Sequence, residues 1–332
     1  MLRRDKNMFS YIIRRLCYAI PILIGVNLLT FVLFFIVNTP EDMATAHLGD
    51  KYVTEEAVQE WIAEKGYDQP LFLNGDAGGL GTLTDTIFFN KSLKLFAFDF
   101  GTSDAGRSIQ SDVLDRMGPS LALALPTFFI GIFVNISVAL MVLMFRGSSL
   151  DRFAVVVFVT LMSISYLFYI IFGQYYMAKM SRLFPVSGFN DGIDGWRFLI
   201  LPIVIGVISG IGASARWYRS LFIEVAGQDF ARTARAKGVS EAGVLFRHIL
   251  PNTMLPILTG VVVVIPVLFM GSLVMESFFS IPGLGSYLLD AIRAQDFAIV
   301  RAMVFLGSVL YIIGLILTDI SYTWADPRVR LS

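Results

Sequence analysis

The side chains that enzymes most often use for catalysis are scarce in this sequence of 332 residues. It contains two histidines, His47 and His248, and a single cysteine, Cys17. Neither the zinc-protease pattern H-E-x-x-H nor the nucleophile pattern G-x-S-x-G occurs. A lone cysteine excludes a disulfide within the chain and argues against a cysteine-based metal cluster. We therefore predict that the protein is not an enzyme and holds no metal.

Phosphate-binding chemistry is also missing from the chain. The P-loop pattern G-x-x-x-x-G-K-[ST] does not occur, so the chain does not bind a nucleotide through such a loop. Its 26 Lys and Arg residues balance its 26 Asp and Glu residues, and this zero net charge suggests no nucleic-acid partner. We expect the chain to carry no cofactor and no energy source of its own.

Charge is instead concentrated in residues 224–252, EVAGQDFARTARAKGVSEAGVLFRHILPN. Six cations lie within or just before this segment: Arg216, Arg219, Arg232, Arg235, Lys237 and Arg247. Small and apolar side chains recur at helical spacing before Gly238, which can adopt the left-handed conformation that ends a helix. Ser240 is then expected to cap a second helix, with Glu241 in its first turn. The pattern predicts a helix–turn–helix.

The same segment has an apolar stripe formed by Phe230, Val239, Leu245 and Phe246. A loop that only had to stay solvated would not need these side chains, whereas an amphipathic helix docked in a partner's groove would. We interpret the segment as a docking element for another protein.

The elements that would position this segment are membrane spans. Apolar residues make up 56% of the chain and charged residues 16%, and long uncharged runs recur. Six spans are predicted, over residues 16–37, 120–145, 153–178, 198–217, 254–275 and 302–324. The fold class is thus an all-α integral membrane protein with six transmembrane helices and a coupling helix between the fourth and fifth.

The charged connections predict the orientation of these spans. The short basic segments 1–15, 146–152, 216–248 and 328–330 all fall on one side of the membrane, which the positive-inside rule makes the cytoplasm. Both termini are then cytoplasmic, and residues 38–118 form an extracytoplasmic loop subdomain between the first two spans. Residues 54–65 within it have early acids and a late lysine, as a helix prefers.

A few polar residues of the spans are candidates for a translocation path. They are Ser163, Tyr166, Tyr169 and Glu276. Polar groups inside a membrane commonly mark a solute pathway. The alternatives are that the third span carries ordinary interfacial anchors and that Glu276 is a hydrogen-bonded residue at the margin of its span.

Several stretches resemble one known family in the right order. DFARTARAKGVSEAGVLFRHILPN (residues 229–252) is similar to the EAA-loop signature of binding-protein-dependent ABC importer permeases, in the dipeptide/oligopeptide form, with Pro251 at a helix-ending position. YIIRRLCYAIPILIGVNLLTFVLF, FDFGTSDAGRSIQSDVLDRMGPSLALALP, MESFFSIPGLGSYLLDAI and DISYTWADPRVR resemble that branch's first span, its second-span approach, its fifth-span exit and its C-terminus.

This resemblance implies a bacterial inner-membrane protein that forms half of a translocation path. It implies a homologous second permease, two cytoplasmic ATPase subunits that bind the ATP, and an extracytoplasmic solute-binding protein, besides membrane lipid. ATP-driven closure of the ATPase pair would move residues 224–252. The implied coupling residues are Asp229, Phe230, Arg232, Thr233, Ala234, Arg235, Lys237 and Gly238. The arginines would pair with acidic groups of the ATPase, and Phe230 would fill a groove.

The leading interpretation is the permease subunit of an ATP-driven importer of di- and oligopeptides, and the exact solute stays open. The family's substrates are mainly di- and oligopeptides, but nickel chelates, opines and oligosaccharides are alternatives within the same architecture. A carrier driven by an ion gradient is a different class of function, for which acidic pairs in the middle of the spans and inverted repeats would be expected.

Overall fold

The computed structural model describes residues 2–49, 54–75, 77–190 and 192–325. The expected basic segment 328–330 and the side chains of residues 3–6 lie outside this description. The described residues are helical and contain no β-strand, apart from one isolated bridge between Thr102 and Ser108. The prediction of an all-α membrane protein is confirmed.

The helices follow in chain order. They are α1 (Leu2–Val32), α2 (Pro40–Leu48), α3 (Glu55–Lys65), α4 (Gly81–Thr84), α5 (Ile87–Lys91), α6 (Ile109–Met144), α7 (Ser149–Ser163), α8 (Tyr166–Gly173), α9 (Trp196–Ala226), α10 (Asp229–Ala236), α11 (Glu241–Val244), α12 (Leu250–Leu268), α13 (Leu273–Phe279), α14 (Leu284–Ala294) and α15 (Phe297–Ala325). Wider π-helical turns continue α1 through Leu33–Val37, α8 through Gln174–Met180 and α11 through Leu245–Ile249, and 3₁₀ turns form at Leu93–Ala97 and Ile193–Gly195.

Within the described residues, five helical stretches are long and apolar enough to cross a membrane. They are Ile13–Val37, Ile109–Met144, Trp196–Ala226, Glu241–Leu268 and Phe297–Ser321. The pair α7 and α8 would make a sixth span only as one segment bent by 89°. The second and third of these stretches, Ile109–Met144 and Trp196–Ala226, extend well beyond the predicted spans 120–145 and 198–217.

The bend within predicted span 153–178 has a local cause. Ile164 and Ser165 are extended, with ψ of 129° and 140°, and so interrupt the helix. The carbonyl of Leu161, near the end of α7, accepts a hydrogen bond of 2.9 Å from the hydroxyl of Tyr169 in α8. This bond satisfies a backbone oxygen at a helix end, where intrahelical partners run out.

The fifth span differs from its prediction at both ends. Pro251 does not end a helix, because Glu241–Leu268 is helical throughout and the π-helical turn Leu245–Ile249 lies just before this proline. At the other end α12 stops at Leu268, whereas the span was predicted to reach residue 275. Gly271 has φ of +68°, and Ser272 caps the short helix α13.

The described chain divides into two compact units. The first contains residues up to 116 and 287–316, and includes the predicted loop subdomain. An aromatic core holds it together: Phe31 and Phe35 of the first span pack with Trp61, Tyr67 and Ile87 of the loop. A capping box of Thr39 and Asp42 begins α2, and the side chain of Thr54 caps α3 as the acid-to-lysine pattern suggested.

The second unit contains residues 117–286 and 317–325. Its largest core joins the C-terminal ends of α6 and α9, which are predicted to be cytoplasmic, to the segment that follows α9. The buried residues of this one cluster include Leu140, Leu143, Phe222, Ala226, Ala231, Ala234, Val244, Leu245 and Ile249. The segment 224–252 is therefore packed on the helices that lead into it.

Candidate functional site

Helix α10 has one buried face and one charged face. Ala231 and Ala234, three residues apart, are buried against the core cluster of the second unit. Asp229 and Arg232 lie on the opposite side, with side chains 98% and 73% exposed, and their charged atoms are 3.7 Å apart. Because this ion pair is in solvent, it contributes little to stability and leaves both charges accessible.

The turn after α10 confirms the left-handed, helix-ending conformation predicted for Gly238. Its φ is +80°, where a side chain would be strained. The amide of Gly238 donates to the carbonyl of Arg235 at 2.9 Å, and the amide of Val239 donates to that of Ala234 at 3.2 Å. This pair of bonds is a Schellman motif. Ser240 then caps α11 by accepting from the amide of Gly243, which confirms the second predicted cap.

Arg235 connects three segments of the helix–turn–helix. Its Nε and Nη2 donate to the two carboxylate oxygens of Glu241, at 2.9 and 3.4 Å. Its Nη1 donates to the carbonyl of Ala226, the last residue of α9, at 3.2 Å. A two-point pair with a carboxylate fixes geometry better than a single contact does. The ends of α9, α10 and α11 are thus held by one guanidinium group.

These contacts correct two of the residue assignments. The side chain of Ala234 is 5% exposed inside the core, so it cannot touch a docked partner. The predicted apolar stripe is also divided, because Leu245 is buried and Phe230 and Val239 are half-buried in that core, while Phe246 is 57% exposed. The stripe mainly anchors the segment to its own chain. Of the predicted coupling and stripe residues, those that remain exposed for a partner are Asp229, Arg232, Thr233, Lys237, Gly238 and Phe246.

Arg219 is another cation with an internal partner. Its Nε donates to Asp151 of α7 at 3.1 Å, and both side chains are mostly buried, at 17% and 11% exposure. It is one of the six cations that define the charged segment, but it joins two helices and is not presented to solvent.

Glu276 is fully buried in a cradle of hydrogen-bond donors. Its Oε1 accepts from the hydroxyl of Ser120 at 2.8 Å and from the amide of Ser272 at 3.1 Å, and its Oε2 accepts from the amide of Ser286 at 3.0 Å. Ser286 lies in the first turn of α14, where a carboxylate complements the helix dipole. The space is tight, because a Cβ on Gly283 would lie 2.5 Å from the Ser120 hydroxyl.

Of the four path candidates, the structure brings two together. Tyr166 and Glu276 line one cavity of about 280 Å³, with Ser120, Met275 and Leu268 among its other walls. The hydroxyl of Tyr169 donates to the carbonyl of Leu161 across the bend between α7 and α8. The hydroxyl of Ser163 donates to the carbonyl of Val159 within its own helix. The geometry of Glu276 agrees with the alternative interpretation, a hydrogen-bonded residue, because both of its carboxylate oxygens accept bonds from protein donors.

A second cavity of about 280 Å³ was not anticipated from the sequence. It lies among α6, α9 and α12 and is lined by glycines (Gly131, Gly206, Gly210 and Gly260) together with Asn135, Ser214 and Trp217. The Oδ1 atom of Asn135 is buried and accepts no hydrogen bond from the described residues. The sequence signal for this cavity was an asparagine within an apolar span, but the glycines that face Asn135 from α9 and α12 are 71 to 125 positions away.

Residues 116–331 match the family described as binding-protein-dependent transport system inner membrane component. Residues 8–77 match the N-terminal region described for the membrane component of the same systems.

Full-length relatives carry transport names. One relative is a Brucella abortus (strain 2308) protein, and its name assigns it provisionally to the peptide transport system permeases. It is 35% identical over 97% of this chain and 99% of its own length. The "Probable peptide ABC transporter permease protein y4tP" of Sinorhizobium fredii is 30% identical over 97% of this chain and 100% of its own. The dipeptide transport system permease protein DppB of Escherichia coli K12 is 29% identical over 97% and 99%.

Proposed function

Because this chain belongs to the inner membrane components of binding-protein-dependent transport systems, we propose that it is the permease subunit of an ATP-driven importer of di- and oligopeptides. It is a multi-pass inner-membrane protein of an ABC transporter family. The peptide solute rests on the names of its full-length relatives. The observation that carries the rest is α10, a helix that is anchored on one face to the second unit's core and exposes charges on the other.

The family implies that the chain works with other transporter subunits. We propose three kinds: a homologous second permease that completes the translocation path as a heterodimer, two ATPase subunits on the cytoplasmic side, and an extracytoplasmic solute-binding protein. ATP would be bound by the ATPase subunits, which agrees with the lack of a P-loop sequence here. The distribution of basic segments supports cytoplasmic termini and a cytoplasmic α10.

The residue roles divide by exposure. Arg232 and Lys237 are exposed cations that would pair with acidic groups of an ATPase. The exposed carboxylate of Asp229 would pair with a basic group of the ATPase. Phe246 offers an exposed ring beside them. Arg235 and Gly238 would act indirectly, by keeping α10 fixed against the ends of α9 and α11.

Coupling would then follow from rigidity. Helix α9 runs unbroken for 31 residues, and the stretch Glu241–Leu268 for 28. Both meet α10 through the buried cluster and through the Arg235 contacts. A displacement of α10 by closing ATPases would therefore be transmitted along two long helices to the cavity lined by Asn135 and Trp217, which we propose as part of the translocation path.

Site-specific photo-crosslinking tests this assignment. A photoreactive side chain placed at Arg232 or at Lys237 in the assembled transporter should crosslink to an ATPase subunit. The matched control is the same side chain at Asp290, an exposed position of α14 in the first unit. An ATPase crosslink from position 290 but none from 232 or 237 would contradict the assignment of α10 as the docking helix.

A further inference from the structure

The first unit contains a cavity of about 490 Å³ that the transport mechanism above does not use. Its walls come from the end of α3, the turn after α5, the loop 99–106 and the first turns of α15, all within that unit. Small-molecule sites in proteins have volumes of about 300–1,000 Å³. The cavity is thus large enough for a small solute.

Arg301 is a buried cation at this cavity that forms no ion pair among the described residues. It is 5% exposed, and its Nε and Nη1 donate to the backbone carbonyls of Phe297 and Lys91, at 3.3 and 3.2 Å. Its guanidinium carbon lies 4.8 Å from the ring centre of Phe35. Among the described residues no carboxylate lies within ion-pair distance of it, and its hydrogen bonds come from Nε and Nη1. Burial of an unpaired charge is costly, so such groups normally have a counter-ion.

Lys91 is a second cation on the same wall without an ion pair in the described residues. Burial, followed by repulsion from Arg301, Lys94 and Lys65, lowers the pKa of Lys91 to about 8. Its ammonium lies 5.2 Å above the ring of Tyr67. The protein therefore brings two cations together at a buried position where they repel each other.

Three carboxylates near this cavity already interact with protein groups other than Arg301 and Lys91. Asp104 pairs with Lys65 at 2.9 Å, and the bond raises the pKa of this lysine although burial opposes it. Asp296 accepts from the amides of Asp104 and Ile299, at 2.7 and 3.2 Å. Asp99 accepts from the amide of Gly101 at 3.2 Å. Asp104 and Asp296 still attract the charge of Arg301 over a distance, but among the described residues neither Arg301 nor Lys91 forms an ion pair with a carboxylate.

We propose that this cavity binds the carboxylate of a small organic anion between Arg301 Nη2 and the ammonium of Lys91. Guanidinium and ammonium groups both recognise carboxylates and phosphates. A carboxylate fits better here, because the acids Glu64, Asp99 and Asp104 also line the cavity and would repel a doubly charged phosphate more strongly. Tyr67, Leu95 and Phe100 provide apolar wall for the rest of the molecule.

The site goes beyond the proposed function, because binding here needs neither ATP nor a partner. A short peptide, bound through its C-terminal carboxylate, is the organic anion that the proposed function would supply. This choice of ligand rests on the proposed function. Glu64 and Asp99 on the same walls would suit the ammonium end of such a zwitterion.

Calorimetry on the full-length chain in detergent, without ATPase subunits, tests the site. The probe is glycylglycine, and its C-terminal amide is the matched control. Saturable binding of glycylglycine, with none for the amide and no competition by phosphate, is the expected result. Equal binding of peptide and amide, or binding of phosphate alone, would overturn the proposal.

Variants locate the binding within the cavity. Lys91→Gln should weaken glycylglycine binding about tenfold, as expected for one lost charged hydrogen bond. Arg301→Gln should abolish it, and the exposed Arg293→Gln, outside the cavity, should leave it unchanged. If Arg301→Gln fails to fold, Lys91→Gln still decides, and normal binding in that variant contradicts the proposal. These experiments measure binding and not transport. A failure of the proposed transport function would therefore leave the binding result unchanged.

Discussion

Two charged residues, Glu276 and Arg235, each hold together segments from different helices. Glu276 accepts hydrogen bonds from Ser120 and Ser286, which join α6 to the start of α14 through a carboxylate with no exposed surface. Arg235 does the same in solvent-accessible surroundings, between the ends of α9 and α11. In both cases the charge is balanced by fixed donors or acceptors, so its first consequence is structural.

Replacement of Glu276 by Ala is expected to destabilise the protein strongly. The Ser120 hydroxyl and the amides of Ser272 and Ser286 would lose their acceptor, and each buried donor left unpaired costs about 1–3 kcal/mol. We therefore expect a loss of about 3 kcal/mol or more in unfolding free energy, measured by denaturant titration in detergent. Asp290→Ala, at an exposed position of α14, is the control and should change stability by less than about 0.5 kcal/mol. Equal stability of the two variants would show that the cradle does not hold Glu276.

Lys91 is expected to titrate near pH 8. Since its pKa is lowered, the folded protein binds fewer protons than the unfolded chain between pH 8 and the ordinary lysine pKa, and stability attributable to this group rises with pH across that window. Acylation of the amine, followed by peptide mapping against pH, gives the pKa directly. An ordinary value near 10.5 would mean that burial and the charge of Arg301 do not act on it. Bound glycylglycine should raise the value, because its carboxylate favours the charged amine.

At the residue scale, short-range features were predictable and long-range partners were not. Gly238 and Ser240 were identified because turn and cap preferences act over three or four residues. The donors of Glu276 are as far as 156 positions away, and the wall that joins Arg301 to Lys91 spans 210 positions. No local pattern encodes such contacts, which explains why the sequence could only offer Glu276 as a margin residue or a path residue.

The turn between α10 and α11 is the element on which the docking geometry depends. Gly238→Ala should destabilise the protein by about 1 kcal/mol, because φ of +80° is unfavourable for a residue with a Cβ even though no atom lies within 4 Å of it. The matched control is Gly25→Ala in α1, where φ is not positive and no atom crowds the new Cβ. That change should be neutral or stabilising by about 0.5–1 kcal/mol. Thermal unfolding in detergent compares the two, and equal effects would contradict the strained turn.

Two elements depart from their sequence-based expectation for physical reasons. Predicted span 153–178 is bent because Ile164 and Ser165 are extended, yet neither is Gly or Pro and the stretch has no breaker signal. Pro251 was expected to end a helix but lies near the start of α12. Within the continuous helix Glu241–Leu268 this proline lacks a backbone donor, and the π-helical turn just before it widens the backbone at that point.

On the scale of the whole molecule, the proposed work is divided between the two units. The first unit combines an aromatic core with a charged cavity, whereas the second carries α10 and the glycine-lined cavity between long helices. The fold class and the helix–turn–helix were predictable because hydropathy and charge patterns are strong in this chain. The peptide class of the solute was expected from the family resemblance, and the names of the relatives agree with it. The two cavities were not predictable, since no single stretch of sequence forms either of them.

Uptake of a radiolabelled dipeptide into vesicles tests the central claim, that this chain couples ATP hydrolysis to peptide import through α10. Vesicles that contain the whole transporter should accumulate the dipeptide only with ATP. The charge reversal Arg232→Glu with Lys237→Glu should reach the membrane but lose about tenfold or more of this uptake, because like charges at an interface cost several kcal/mol. Asp290→Lys, an exposed reversal away from α10, should transport normally. Uptake by the single chain without ATPase subunits, or full uptake by the α10 reversal, would contradict the account.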